Sequence, residues 1–360
     1  MISINDPYDL VSALFNLYPE FIKNSNSNSD VDILPVFVKE SFQHSDRPTI
    51  FINTEPNIDC VNTRYHQQIL AKPNCAWAVS GYGTRSEWPL KKWFLYLSNN
   101  IMTVKVNPPM PNLQSGCKPW LATALLGGWS MNRSLLLYEL KKLGILDQCL
   151  VNYYERTHDP LDIRNQSRKI PELYFNMRTS VLDHLDDPVF LNLAFKNENQ
   201  TISINTCVSL PETKNGQHGW VSQLVPWKIY NSAYISIIVE NDGFKVSDLF
   251  FISEKISRPL LVGHPFVVFG CVGYLAELRK LGFQTFSLWI DESYDLVEDP
   301  TQRIQAIALS VKKFSEMSDQ KRQLSCEEMQ TVTDHNRRLL LDNEWMYQSL
   351  RKTILNLKKA

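Results

Sequence analysis

The chain has 360 residues, 44% of them hydrophobic, with 37 basic and 38 acidic side chains and a formal charge of −1. Ordinary apolar content at near-zero charge excludes intrinsic disorder, the length excludes a small disulfide-stapled scaffold, and the total charge excludes a histone-like polycation but not a local basic face. At roughly 100–200 residues per domain, two domains are predicted.

Residues Asp6–Phe21 place Leu10, Leu14 and Leu17 at helical spacing, and the polar, low-complexity Asn24–Ser29 is a loop. Ile33–Val38, Thr49–Asn53 and Ala76–Val79 read as buried strands, Asn62–Leu70 as a helix, and Pro89–Asn99 as an apolar aromatic segment. Pro108, Pro109 and Pro111 mark a loop. Asn132–Lys142 is a predicted helix stopped by Gly144, and Cys149–Asn152 leads into a strand. A mixed, charged region follows from Glu155 to Asp187, and Lys214-Asn-Gly216 is a turn signal. Tyr234–Glu240 and Pro265–Phe269 are further strands; Ser253–Val262, Gly273–Lys280, Pro300–Met317 and an amphipathic Cys326–Lys359 are helices. Strands alternating with helices predict an α/β fold with parallel sheets.

No signal-peptide pattern opens the chain, and no run approaches ~18 apolar residues, so a cytoplasmic protein without a membrane span is expected. The seven cysteines are scattered without a C-x-x-C pair, which suits reduced thiols. The Asn132, Asn165 and Asn199 matches to the N-glycosylation pattern are read as chance. Neither G-x-x-x-x-G-K-[ST] nor G-x-G-x-x-G occurs, which argues against a P-loop enzyme and against nicotinamide cofactors.

The most informative stretch runs from Tyr234 to Arg303. Glu240-Asn241 closes a strand, and Ser253-Glu254-Lys255 opens a helix with Ser253 as N-cap. A helix N-terminus attracts anions, a lysine there adds a mobile charge for phosphate, and a glutamate accepts from sugar hydroxyls. Ligands of open α/β sheets sit outside the strands' carboxyl ends, where Glu240, Ser253–Lys255 and Gly270 would lie.

The string SEKISRPLLVGHPFVVFGCVGYLAELRKLGFQTFSLWIDESYD, residues 253–295, resembles a group of glycosyltransferase-like proteins common in tailed phages and bacteria. Its E-K pair followed by G-x-P and a closing Gly also resembles the donor motif of α-1,3-fucosyltransferases, although Asp242 stands where that family usually has Ser. Arg133 through Leu146 carries a second, weaker match, so the resemblance covers roughly residues 130–310.

The resemblance implies a GT-B fold, two Rossmann-like domains with parallel sheets facing across a cleft. Residues 1–144 would form the acceptor side, 145–325 the nucleotide-sugar domain, and 326–360 a terminal helix packing back on the first domain. Lys255 would contact the donor pyrophosphate, with Arg133 as a further phosphate ligand; Glu254 would bind ribose or sugar hydroxyls; Glu240 and Asn241 would sit beside the nucleotide, with Ser253 and Arg258 in the same motif. The implied activity is transfer of a sugar from a UDP- or GDP-type donor to an acceptor hydroxyl, inverting, with no metal and no further cofactor.

Such transfer needs a cation to stabilise the leaving diphosphate and a base for the acceptor proton. Asp30-x-Asp32 is the one D-x-D, and the histidines show no ligand spacing. His264, before Pro265, is read as structural. Glu55, after the strand Thr49–Asn53, is the candidate base, with Asp59, His66 and Glu87 as competitors. Residues 82–144 hold eight basic side chains against Glu87 and Glu139, interleaved with Trp88, Trp93, Trp120 and Trp129. That composition suits a nucleic-acid or glycan acceptor, or a solvated face over buried tryptophans. By resemblance to phage proteins the sharpest acceptor is a hydroxymethylated DNA base exposed from the duplex; a polysaccharide, a protein, or a non-catalytic nucleotide-binding role are the alternatives.

Overall fold

A computed structural model of the chain describes residues 109–128, 130–154, 225–240 and 249–342, with Thr103, Val104, Asn107 and the strands at 32–35, 49–53, 75–79, 81–83, 93–95, 207–209 and 218–220. The chain divides into two units: Met1–Met102 with Asp248–Ser253 and Asp342–Ala360, and Thr103–Ser247 with Glu254–Leu341.

In the first unit, strands β1 (Asp32–Pro35), β2 (Thr49–Asn53), β3 (Cys75–Val79) and β5 (Trp93–Leu95) form a parallel sheet in chain order. Between the last two, β4 (Gly81–Gly83) pairs antiparallel with β11 (Leu249–Phe251). The apolar runs read as strands at 33–38, 49–53 and 76–79 thus fall on β1, β2 and β3.

The second unit is built on a four-stranded parallel sheet of β6 (Trp120–Gly128), β7 (Cys149–Tyr154), β10 (Ala233–Val239) and β12 (Phe266–Phe269), in the order β12-β10-β6-β7. A short antiparallel pair, β8 (Cys207–Ser209) with β9 (His218–Trp220), flanks the turn signal at 214–216. All seven residues of β10 are buried, as are all four of β12. Strands covered on both faces read as unbroken apolar runs, which is why these two were legible. β6 was not foreseen. Its Leu-Ala-Thr-Ala-Leu-Leu run has helical propensity, and its extended state comes from pairing on both sides with β10 and β7.

Helix α1 (Met131–Lys142) connects β6 to β7 and ends at Gly144, as read from sequence. There Gly144 is left-handed (φ 69°), and Ile145 N–H closes the turn on Leu140 O at 3.0 Å. Helix α2 (Trp227–Asn231) precedes β10, and α3 (Glu254–Val262) precedes β12. Then come α4 (Tyr274–Lys280), α5 (Pro300–Ser315) and α6 (Asp319–Asp342). Pro300 at the first turn and Asp299, whose carboxylate accepts Gln302 N–H at 2.8 Å, start α5.

Two boundaries differ from expectation. Residues 103–144, assigned from sequence to the first domain, lie in the second unit, because β6 and α1 belong to the β10 sheet. The last helix begins at Asp319 rather than Cys326, and its described part packs in the second unit, with Asn336 bonded to the Gln284 backbone at 2.7 and 2.9 Å. The segments Asp6–Phe21, Asn24–Ser29, Asn62–Leu70, Glu155–Asp187 and 343–360 lie outside the described residues. Among the described residues no helix is long and apolar enough to cross a membrane.

Candidate functional site

The chain leaves β6 through α1 to reach β7 on one side, then returns to pair β10 on the other side and continues through α3 to β12. Strand order therefore reverses between β6 and β10. Right-handed crossovers running in opposite directions leave α1 and α3 on opposite faces of the sheet. Doubly wound sheets bind ligands outside the carboxyl ends of the strands at such a reversal, which here lies beyond the ends of β6 and β10.

Gly127 and Gly128 close β6, with a register shift against β7 between Leu125 and Gly127. Ser130 caps α1, its hydroxyl accepting Arg133 N–H at 3.4 Å. No acid lies in the first turn of α1, so the positive end of that helix is not offset there. Arg133 stands in that turn, 9% exposed. The glycine pair before Ser130 and a helix is a turn signal in the sequence, and it was missed because β6 was missed.

On the other side of the reversal, Glu240 directly follows β10. Its N–H donates to Phe269 O at 2.9 Å, and its buried carboxylate accepts from the Tyr274 hydroxyl at 3.3 Å. Tyr274 was not singled out from the sequence; it heads α4 and reaches Glu240 across 34 residues.

At the start of α3, Lys255 Nζ contacts Glu254 Oε1 at 2.8 Å, both side chains mostly buried. Burial acts to raise the Glu254 carboxyl, but Lys255 and then Arg258 outweigh it, and the group is held below its ordinary value. Arg258, one turn further on, is buried and acts electrostatically on both Glu254 and Tyr230 of α2. Ser253 is fully buried immediately before α3. Glu55, Asn241, Asp59, His66 and Glu87 lie outside the described residues, as does Asp30 of the D-x-D. Among the described residues no group of three His, Cys, Asp or Glu is placed to hold a metal ion.

The second half of the 253–295 string is scaffold. Asp295 accepts Leu275 N–H at 2.9 Å and Ala276 N–H at 3.3 Å, capping α4. Glu292 accepts from Phe286 N–H, the Thr285 hydroxyl and the Arg279 guanidinium. Asp291 pairs with Lys313 and is pulled down to about 2, chiefly by that bond and those from Ser293. The Tyr294 hydroxyl accepts Val268 N–H at 3.3 Å, beneath β12.

His264 is structural, as expected. Its ring is buried between Ser236 Oγ (2.8 Å) and Ala233 O (2.9 Å), and burial pushes it down to about 4. The described members of the basic stretch on α1 differ in exposure: Arg133 is buried at its N-terminus, whereas Lys141 and Lys142 are exposed at its other end, about 12–14 Å away at 1.5 Å per residue. Trp120 is half-buried against Leu150 and Ile229.

No family model and no curated protein matches this chain. Among solved structures it is similar to a crystal structure of the DNA-modifying enzyme β-glucosyltransferase, studied with and without its substrate uridine diphosphoglucose. The two share 11% identity over 98% of this chain and 96% of the other, at a TM-score of 0.38, a likeness too distant to carry an argument about chemistry.

Proposed function

We propose that the chain is a GT-B-type glycosyltransferase whose nucleotide-sugar donor binds at the carboxyl edge of the second unit's sheet. One observation carries the reading: Arg133, in a first helical turn without an acid, and the buried Glu240 both follow the strands between which the order reverses. In this reading the E-K motif at the start of α3 adds Lys255 and Glu254 to the site.

In this reading Arg133 and Lys255 hold the diphosphate and offset its growing charge as the anomeric C–O bond breaks. Lys255 exchanges Glu254 for a phosphate oxygen, a short movement for a flexible side chain already at the helix end. Glu240 and Glu254 accept from ribose or sugar hydroxyls; Arg258 adds to the Lys255 charge that favours ionised Glu254; Asn241 and Ser253 belong to the same motif. Glu55 takes the acceptor proton as the acceptor oxygen forms the new bond to the anomeric carbon from the opposite side, with inversion and without a metal. The proposed acceptor is a hydroxymethylated base in DNA, on the resemblance of residues 253–295 to phage proteins.

The test is a thermal-shift screen with UDP-, GDP-, CMP- and dTDP-sugars. A donor at a hundred times its Kd stabilises a folded protein by about 2.7 kcal/mol. One nucleotide class should raise Tm, and Lys255→Ala should remove the rise. No rise with any of the four would overturn the reading.

A further inference from the structure

Tyr274 is fixed from three directions. It is the first residue of α4, whose N-terminus is pinned by Asp295: Gly273 N–H donates to Asp295 O at 2.8 Å, and Leu275 N–H to its carboxylate at 2.9 Å. Its ring lies flat against Gly270, so closely that a Cβ on Gly270 would stand 2.3 Å from Tyr274 Cδ2. Its hydroxyl reaches Glu240 Oε1 at 3.3 Å. Burial, then the neighbouring Glu240 carboxylate, pushes the phenol well above its ordinary value, so it stays a donor at any physiological pH.

Glu240 is 2% exposed at the carboxyl end of β10. A buried carboxylate is tolerated only with donors around it, and each donor restricts where its lone pairs point. Ligands of doubly wound sheets bind outside the carboxyl ends of the strands where the order reverses, and in the donor-site reading Glu240 accepts there from the ribose. A site built to accept from a hydroxyl discriminates against a ligand that lacks it, because the acceptor is then left unmatched.

We propose that Tyr274 is a positioning residue that sets the orientation of Glu240 and thereby the preference of the site for ribonucleotides over 2′-deoxyribonucleotides. The proposal rests on the donor-site reading above. Tyr274 acts on the ligand through Glu240, and Gly270 is required because only a glycine there lets the ring lie in place.

The experiment is calorimetric titration of the full chain with UDP and GDP, their 2′-deoxy counterparts, and inorganic pyrophosphate, for the wild type, Tyr274→Phe and Gly270→Ala. The wild type should prefer the better ribonucleotide by about tenfold or more, the scale of one hydrogen bond to a charged group. Tyr274→Phe keeps the ring and should bring the ratio close to one while pyrophosphate affinity is unchanged. Gly270→Ala displaces the ring with the hydroxyl intact and should lose the ratio too, which serves if the first variant folds poorly. A Tyr274→Phe protein with the wild-type ratio, or one that loses ribo- and deoxyribonucleotide affinity equally, overturns the proposal. A wild type that binds nucleotides without preference also overturns it while the donor reading stands. A wild type that binds none overturns both.

Discussion

The carboxylate of Asp295 caps a helix that begins with Tyr274, accepting Leu275 N–H at 2.9 Å from twenty residues further along the chain. The N-terminus of α4 is thereby filled by the protein's own anion. The N-terminus of α1 has Ser130 as cap and no acid in its first turn. Of these two helix ends, α4 carries a buried carboxylate at its first N–H groups and α1 has no acid in its first turn.

Removing the Asp295 cap should cost stability rather than specific chemistry. Asp295→Ala leaves buried N–H groups at the head of α4 without their acceptor, a loss of about 1–3 kcal/mol. Asp295→Asn keeps one acceptor and should lose less. Urea unfolding with an unchanged m-value would measure both.

His264 predicts an acid limb in stability. Its folded-state value is depressed from 6.5 to about 4, so the neutral ring's contribution is present above pH 6.5 and is lost as pH falls toward 4. The full effect is roughly 3 kcal/mol. Stability measured across that window should fall in the wild type, and the slope should flatten in His264→Gln. An equally steep slope in the variant would place the titration elsewhere.

Gly270→Ala should destabilise the second unit by about 1–3 kcal/mol, because the new methyl meets the Tyr274 ring. The φ of Gly270 is not in the left-handed region, so the cost is steric. Gly270→Ala combined with Tyr274→Ala should recover part of the loss, a coupling that a double-mutant cycle reads directly.

Arg303 tests a different trade. It is 1% exposed, stacks 5.2 Å over Phe269 and donates to Val297 O at 2.6 Å; its Nε and Nη2 have no hydrogen-bond partner among the described residues. Replacing a buried, partly satisfied charge by an apolar side chain of similar length is often neutral or stabilising. Arg303→Met should therefore change stability by less than about 1 kcal/mol, whereas Arg303→Ala should lose about 2–4 kcal/mol through the cavity.

Within the proposed donor site, Arg133→Ala and Lys255→Ala should each weaken nucleotide-sugar binding by about 1.5–3 kcal/mol, the scale of a charge-assisted hydrogen bond. Glu55→Gln should bind donor normally and lose turnover by about 10²-fold or more. A Glu55→Gln enzyme at full rate would move the base elsewhere.

The legible parts of this protein were those where local pattern and final environment agree. β10 and β12 read as strands because both faces are buried and the residues are apolar throughout. α1 and α3 read as helices from Gly144 and from Ser253-Glu254-Lys255, and α5 over Pro300–Met317. Glu254 and Lys255 were read at a helix start, and they open α3 with an ion pair between them.

The rest depended on partners distant in sequence. β6 carries helical propensity and is extended only because β7 and β10 pair with it; without it, the domain seam was placed near 145 and the glycine turn before Ser130 went unnoticed. Nothing local distinguishes Asp295, a helix cap, from Glu240, a carboxylate at the point of strand reversal. By itself the sequence determined composition class, the α/β alternation and the E-K motif, since these are properties of adjacent residues. Only the tertiary structure decided which acid caps a helix and which meets a tyrosine hydroxyl at the point of strand reversal, because a carboxylate's role is set by the donors that other segments bring to it.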